Sequence, residues 1–303
     1  MIKTSFIVIA GATVALTGAA QAQEITYGSA ELSYYSADDV DVLRLQGDVD
    51  YAINRFTFTG TAKAVDFDGE NLYTLNGTVG YEITPGFTGY VKLGAFDFDS
   101  DDTEYGYGLG VDYIGNAFGV ALEYTTLDDE DFETYNLNGY YSFGASTVFG
   151  SYTSLDGDFD LYALGYDFDA DVFGLSASTF FTEDGFEDGF SNFAGVYNFG
   201  QFGVKASVLT VNDDMFEDGY YGISGTYAVN DAVIIEAGYD TNFGDAGDVD
   251  LFSLSVTYEM GGERARVTDR VSDLFDKSRN NMFEAQPVDI FDPLYGPGMV
   301  GLF

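Results

Sequence analysis

The sequence runs to 303 residues with 51 acidic against 11 basic side chains, a formal net charge of −40. That balance excludes nucleic acid as a partner, because phosphate binding needs clustered positive charge, although a strongly negative surface also promotes solubility with no ligand at all. Neither Cys nor His occurs, which removes disulfide staples, thiol and imidazole catalysis, a Ser-His-Asp arrangement and zinc sites of His and Cys.

In chain order, Lys3 precedes a largely apolar run from Phe6 to about Leu16 and small residues ending at Ala20-Gln21-Ala22. This order predicts a secretory signal peptide over 1–22, cleaved after Ala22, since the run is too short for a membrane helix. No later stretch reaches the length of a spanning helix, so membrane association of the remainder requires a closed barrel.

From Glu24 to Gly261 one pattern repeats, in which about ten residues alternate apolar and polar before a Gly, Asn, Asp or Pro break. About 16 such segments are expected, near 24–35, 40–53, 55–66, 70–82, 86–97, 104–114, 117–127, 131–143, 146–154, 159–168, 171–182, 190–199, 201–211, 218–229, 231–240 and 249–260. In 40–53, Leu43, Leu45, Val49 and Tyr51 share one face and Arg44, Gln46, Asp48 and Asp50 the other. In 55–66, Phe56, Phe58, Ala62 and Ala64 oppose Arg55, Thr57, Thr59, Thr61 and Lys63.

The breaks alternate in kind. Those at Asn54, Thr84-Pro85, Gly115-Asn116, Gly144, Ala170, Gly200 and Asn230 are tight and nearly neutral, whereas those between them, such as Ser100-Asp101-Asp102 and Glu183-Asp184-Gly185, are acidic and mostly longer. Short periplasmic turns opposite longer outward loops are the pattern of an outer-membrane barrel.

Charge placement agrees. An Arg or Lys on a lipid face costs about 2–4 kcal/mol at mid-bilayer, and Arg44, Arg55, Lys63, Lys92 and Lys205 all fall on the polar phase, with the acids Asp112, Glu123 and Glu236. These eight are the expected pore-lining residues. The inward phase is otherwise small and polar, as at Gly106, Gly108, Gly110, Ser176, Ser178, Ser224 and Ser253. Tyr34, Tyr51, Tyr113, Tyr141, Phe181 and Tyr239 lie near segment ends, where they suit either interfacial girdles or cross-strand pairs.

After Gly261 the alternation stops. Glu263 to Asn280 predicts an amphipathic helix with Val267, Val271, Leu274 and Phe275 on one side, and it carries Arg264, Arg266, Arg270, Lys277 and Arg279. Pro287, Pro293 and Pro297 block regular structure beyond it. The domains expected are thus a signal peptide over 1–22, a barrel over 23–261 and a tail over 262–303. The basic segment either enters the acidic lumen as a plug or docks beneath it, because opposite charges attract in both places.

The acidic stretch from Asp97 to Glu104 fails the calcium-loop motif, with Asp102 where Gly is required and Gly108 where Glu is expected. Asp99, Asp101 and Asp102 remain candidates for loose Ca²⁺ or Mg²⁺ binding at the rim, bridging to lipopolysaccharide phosphates, with plain solvation as the alternative. No cofactor and no enzymatic activity are expected.

The fold class expected is therefore all-β, a transmembrane antiparallel up-and-down barrel of about 16 strands with a partly helical C-terminal tail, wide enough for water. In pattern and length, residues 24–260 resemble the trimeric general porins of Gram-negative bacteria, alphaproteobacterial ones included. The resemblance rests on no specific motif. It implies passive diffusion of ions and small hydrophilic solutes, insertion by the barrel-assembly machinery among outer-membrane lipid and lipopolysaccharide, and a homotrimer. Acids at the rim favour cations, while the basic stripe of Arg44, Arg55, Lys63 and Lys92 argues the other way. In that family a long third outward loop folds inward as an acidic constriction and the chain ends on a strand; here that loop is only about Phe98 to Thr103, and some forty residues follow Tyr258. A structural or adhesive barrel with a blocked lumen and a secreted soluble β protein such as a propeller are the competing readings.

Overall fold

The computed structural model describes residues 25–37, 40–67, 69–98, 103–128, 133–155, 159–244 and 249–285. The signal-peptide segment and the rim candidates Asp99, Asp101 and Asp102 lie outside the described residues. Sixteen strands form: β1 (Ile25–Ala37), β2 (Val40–Ile53), β3 (Phe56–Phe67), β4 (Glu70–Thr84), β5 (Phe87–Phe98), β6 (Glu104–Ile114), β7 (Phe118–Leu127), β8 (Glu133–Phe143), β9 (Ser146–Leu155), β10 (Phe159–Ala170), β11 (Phe173–Thr182), β12 (Gly185–Phe199), β13 (Phe202–Val211), β14 (Gly219–Asn230), β15 (Val233–Phe243) and β16 (Asp250–Gly261). Each pairs antiparallel with its chain neighbours, and β16 closes on β1 from Tyr27 opposite Gly261 to Ala37 opposite Leu251. Closure satisfies every edge, which an open sheet in lipid could not do.

The two-residue period sets which side chains point where. On β2, Leu43 is exposed on the outer surface while Asp48 and Asp50 are buried inside. Leu75, Leu93, Leu109, Ile223 and Phe252 are each at least 58% exposed, parts of an apolar outer band far larger than a water-soluble surface tolerates. Leu109→Arg, in the middle of β6 on this face, is expected to lower stability in lipid vesicles by about 2–4 kcal/mol, as read from urea unfolding. An unchanged unfolding curve would show that this face does not meet hydrocarbon.

Two expectations need correction here. The β11–β12 connection is not a longer acidic loop: β12 starts at Gly185 rather than near 190, leaving Glu183 and Asp184 as a tight turn, with Thr182 paired to Gly185 across a bulge. The inward face is also not uniformly small and polar. Tyr35, Tyr90, Phe96, Phe149 and Phe180 stand on it and are buried.

Those inward aromatics have a partner, because the chain after β16 lies inside the barrel. Helix α1 (Val267–Asp276) touches β6 to β10, and α2 (Asn281–Glu284) touches β15 and β16. Val267, Val271 and Phe275 form one stripe of α1 and pack with Ala121, Phe149, Ala163 and Phe180. Helix α1 is shorter than the span 263–280 because Arg266 is extended, at φ −108° and ψ 146°, to reach the wall. The sequence reading missed α2; it forms because the Asn280 side chain accepts the Phe283 amide at 3.0 Å as an N-cap.

Candidate functional site

The acids of the lumen wall position the tail. At its start the Gly262 amide donates to the Thr26 carbonyl at 2.8 Å, which keeps the chain on the wall as it leaves β16. Arg264 then lies 3.4 Å from Asp48 and 3.5 Å from Asp50, with its guanidinium 4.7 Å above the Tyr27 ring. Arg266 Nε donates to Asp112 at 2.6 Å, its Nη2 is 3.6 Å from Glu123, and its guanidinium lies 3.3 Å over the Tyr90 ring.

Helix α1 continues around the wall. Phe275 sits 4.8 Å from the Phe149 ring, nearly edge-on, and 5.1 Å from Phe180. Phe149 can lie flat only because its cross-strand partner is Gly165; a Cβ there would stand 2.2 Å from the ring. Past the helix, Lys277 Nζ donates to Asp167 at 2.9 Å, and the Ser278 hydroxyl meets that of Ser178 at 2.6 Å. Asn281 Nδ2 donates to Asp240 at 2.6 Å, with Gly238 leaving the space it needs. Arg44 Nη1 finally donates to the Glu284 carbonyl at 2.8 Å, after the tail has circled the inner wall.

The tail fills the side of the lumen bounded by β6 to β15. Along β1 to β5 an open cavity of about 560 Å³ persists. Its barrel wall carries Thr59, Thr61, Thr74, Asn76 and Thr78 beside Arg44, Lys63 and Lys92, and its tail wall carries Asp269, Asp273 and Asp276. Arg264 holds Asp269 at 3.4 Å and Asp273 at 3.6 Å, and Arg279 holds Asp276 at 2.6 Å. Hydroxyls and amides along one side and carboxylates along the other make a wettable slot.

Of the residues expected to line a pore, Arg44, Lys63, Lys92 and Glu123 border this cavity. Lys92 and Glu123 are paired at 3.4 Å, and Asp112 is covered by Arg266. Lys205 and Glu236 face the other end of the tail, near Asp240 and Glu284. Arg55 is a correction: it falls in the β2–β3 turn, exposed, where it donates to the Ile83 carbonyl and lies 5.1 Å over the Tyr81 ring. A residue after the last strand pair no longer obeys the in-and-out period, so its phase says nothing about the lumen.

Arg264, Arg266, Lys277 and Arg279 make the contacts described above. Arg270 turns back to Glu263 and to the Arg264 carbonyl. The sequence reading missed Asp167 and Asp240 as anchors. Their signal was an acid at an inward position, the same signal that marked Asp112 and Glu123. At the segment ends both readings of the aromatics hold at once, since Tyr113 is 37% exposed on the outer face and also lies 5.3 Å from Phe118.

A closed barrel of sixteen antiparallel strands with an apolar outside and a polar, partly filled inside is the porin fold. Among solved structures, an engineered variant of the Rh. blastica porin is similar to this chain, with a TM-score of 0.53 at 16% identity over 78% of this chain and 99% of that one. OpdQ of Pseudomonas aeruginosa gives a TM-score of 0.52 at 9% identity, over 79% and 99%. At such identities the likeness concerns the fold alone. No protein-family model and no curated protein matches the sequence.

Proposed function

We propose that the chain is a porin of the outer membrane, exported by its N-terminal signal, through which ions and small hydrophilic solutes diffuse passively. The observation that carries this reading is the cavity of about 560 Å³ left open inside a closed wall whose outer face is apolar. The tail acts as its constriction, holding Asp269, Asp273 and Asp276 opposite the β1 to β5 wall. Cation preference follows from the net charge of −40 and the acidic connections at the loop end. Arg44, Lys63 and Lys92 oppose it from the barrel wall of the cavity, across from Asp269, Asp273 and Asp276 on the tail.

Outer-membrane lipid and lipopolysaccharide surround the barrel in this reading, and the barrel-assembly machinery inserts it. The resemblance to trimeric porins adds a homotrimer, which cross-linking in native membranes checks. Loose divalent binding by Asp99, Asp101 and Asp102 belongs to the same picture, and calorimetry with Ca²⁺ tests it.

Planar-bilayer recording of the refolded chain tests the function. Stepwise conductance is expected, with a reversal potential of cation sign in a KCl gradient. An anion-signed potential would overturn the selectivity. Absence of conductance would favour a structural or adhesive barrel, a reading supported by how fully the tail covers the β6 to β15 side.

A further inference from the structure

We infer that the tail is threaded through the barrel from one mouth to the other, so that the chain following Ala285 continues from the loop end rather than from the tight-turn end where the tail begins. This goes beyond a plug, which could enter and leave by the same mouth.

The register of the anchors carries the inference. Gly261 ends β16 at the tight-turn mouth, and the first anchor, Asp50, lies near Ile53 at that same end of β2. Asp167 likewise lies near Ala170, the tight-turn end of β10. From Lys277 onward the contacts climb. Ser278 meets Ser178 at mid-strand on β11, and Asn281 meets Asp240 close to Phe243, the loop end of β15.

Ala285 completes the rise, packed in a cluster with Tyr35, Val42, Val65, Leu72, Phe96 and Leu251, each near the loop end of its strand. At this level Arg44 grips the Glu284 carbonyl at 2.8 Å, and the Tyr35 hydroxyl is 3.5 Å from the Glu284 carboxylate. The thread is therefore held at both mouths. It narrows the lumen along its length.

The charge sequence points the same way. Each of Arg264, Arg266 and Lys277 is seated on a wall acid, whereas residues 286–303 contain Asp289 and Asp292 and no Lys or Arg to seat on the acids of the lumen.

With no native Cys, single cysteines report the side directly. Gly298→Cys is compared with Asp184→Cys in the β11–β12 connection at the loop end and with Asp231→Cys in the β14–β15 tight turn, using a polyethylene-glycol maleimide too large to enter the lumen, on intact cells and after lysis. Gly298→Cys is expected to label like Asp184→Cys in intact cells, with Asp231→Cys labelled only after lysis. Labelling of Gly298→Cys that follows Asp231→Cys instead overturns the threading and leaves the barrel reading intact. The inference rests on the porin reading only for which mouth faces outward. If Asp184→Cys itself is labelled only after lysis, that reading of orientation fails, and agreement between Gly298→Cys and one or the other control still decides the threading.

Discussion

A chain ending at Gly261 is expected to conduct roughly threefold or more better than the full chain in planar bilayers, because the tail is the main occupant of a lumen that sixteen strands hold open wide enough for water. The wall survives the deletion. Every strand pair, including β1 with β16, is made of residues up to Gly261, and beyond the single Gly262-to-Thr26 backbone bond the tail adds mainly side-chain contacts to that hydrogen-bonded wall. Removing Arg264, Arg266 and Lys277 also strips the cationic partners from Asp48, Asp50, Asp112 and Asp167, leaving Asp48 with Ser29 and Thr61 and Asp167 with Ser176. These acids become hydrated instead of buried, and the reversal potential shifts further toward cations. Equal conductance and equal selectivity in both forms would eliminate the tail as a constriction. Phe275→Asp in the full chain gives a second reading of the same claim, since it places a charge between Phe149 and Phe180 and loosens α1 without shortening the chain.

How far the fold was legible follows from the physics of the pattern. A period of two, punctuated by turn residues, names both the strand count and the side each residue faces, and sixteen strands result. The polar phase located Arg44, Lys63, Lys92, Asp112 and Glu123 inside for the same reason. Legibility ended where the period ended. Arg55 sits in a turn, and α2 depends on a cap at Asn280 and on contact with β15 and β16, which no local signal announces. The inward Phe149 and Phe180 were misread differently. An aromatic on the polar phase breaks the alternation, and such a break records an interior partner. Paired with Gly165 across from Phe149, it marks the seat of Phe275. The basic tail residues were recognisable as cations suited to an acidic lumen, but which acid receives which base depends on the path of the chain around the wall.

Arg266→Met is expected to destabilise docking of the tail by about 3–5 kcal/mol, the range for leaving a buried charge without its partner. Arg266 is 3% exposed, Asp112 2% and Glu123 1%, so no solvent replaces the lost guanidinium while the tail stays in place. Glu123 keeps Lys92 at 3.4 Å and the Tyr90 hydroxyl at 3.1 Å, whereas among the described residues Asp112 keeps only the Val267 amide at 3.4 Å; the penalty therefore falls mainly on Asp112. Relief comes from the tail lifting away and water entering, not from the wall unfolding. Trypsin added to micelle-embedded protein reads this step, because its sites at Arg264, Arg270 and Lys277 are reachable only when the tail is out. At about 1.4 kcal/mol per tenfold change, cleavage is expected to quicken by roughly two to three and a half orders of magnitude. Arg266→Lys should fall between, since a point charge can reach Asp112 but cannot also hold Glu123 and lie flat on Tyr90. Combining Arg266→Met with Asp112→Asn removes the stranded charge and should restore much of the protection. If the double variant is cut as fast as the single one, the ion pair is not what seats the tail, and the apolar stripe of Val267, Val271 and Phe275 holds it alone.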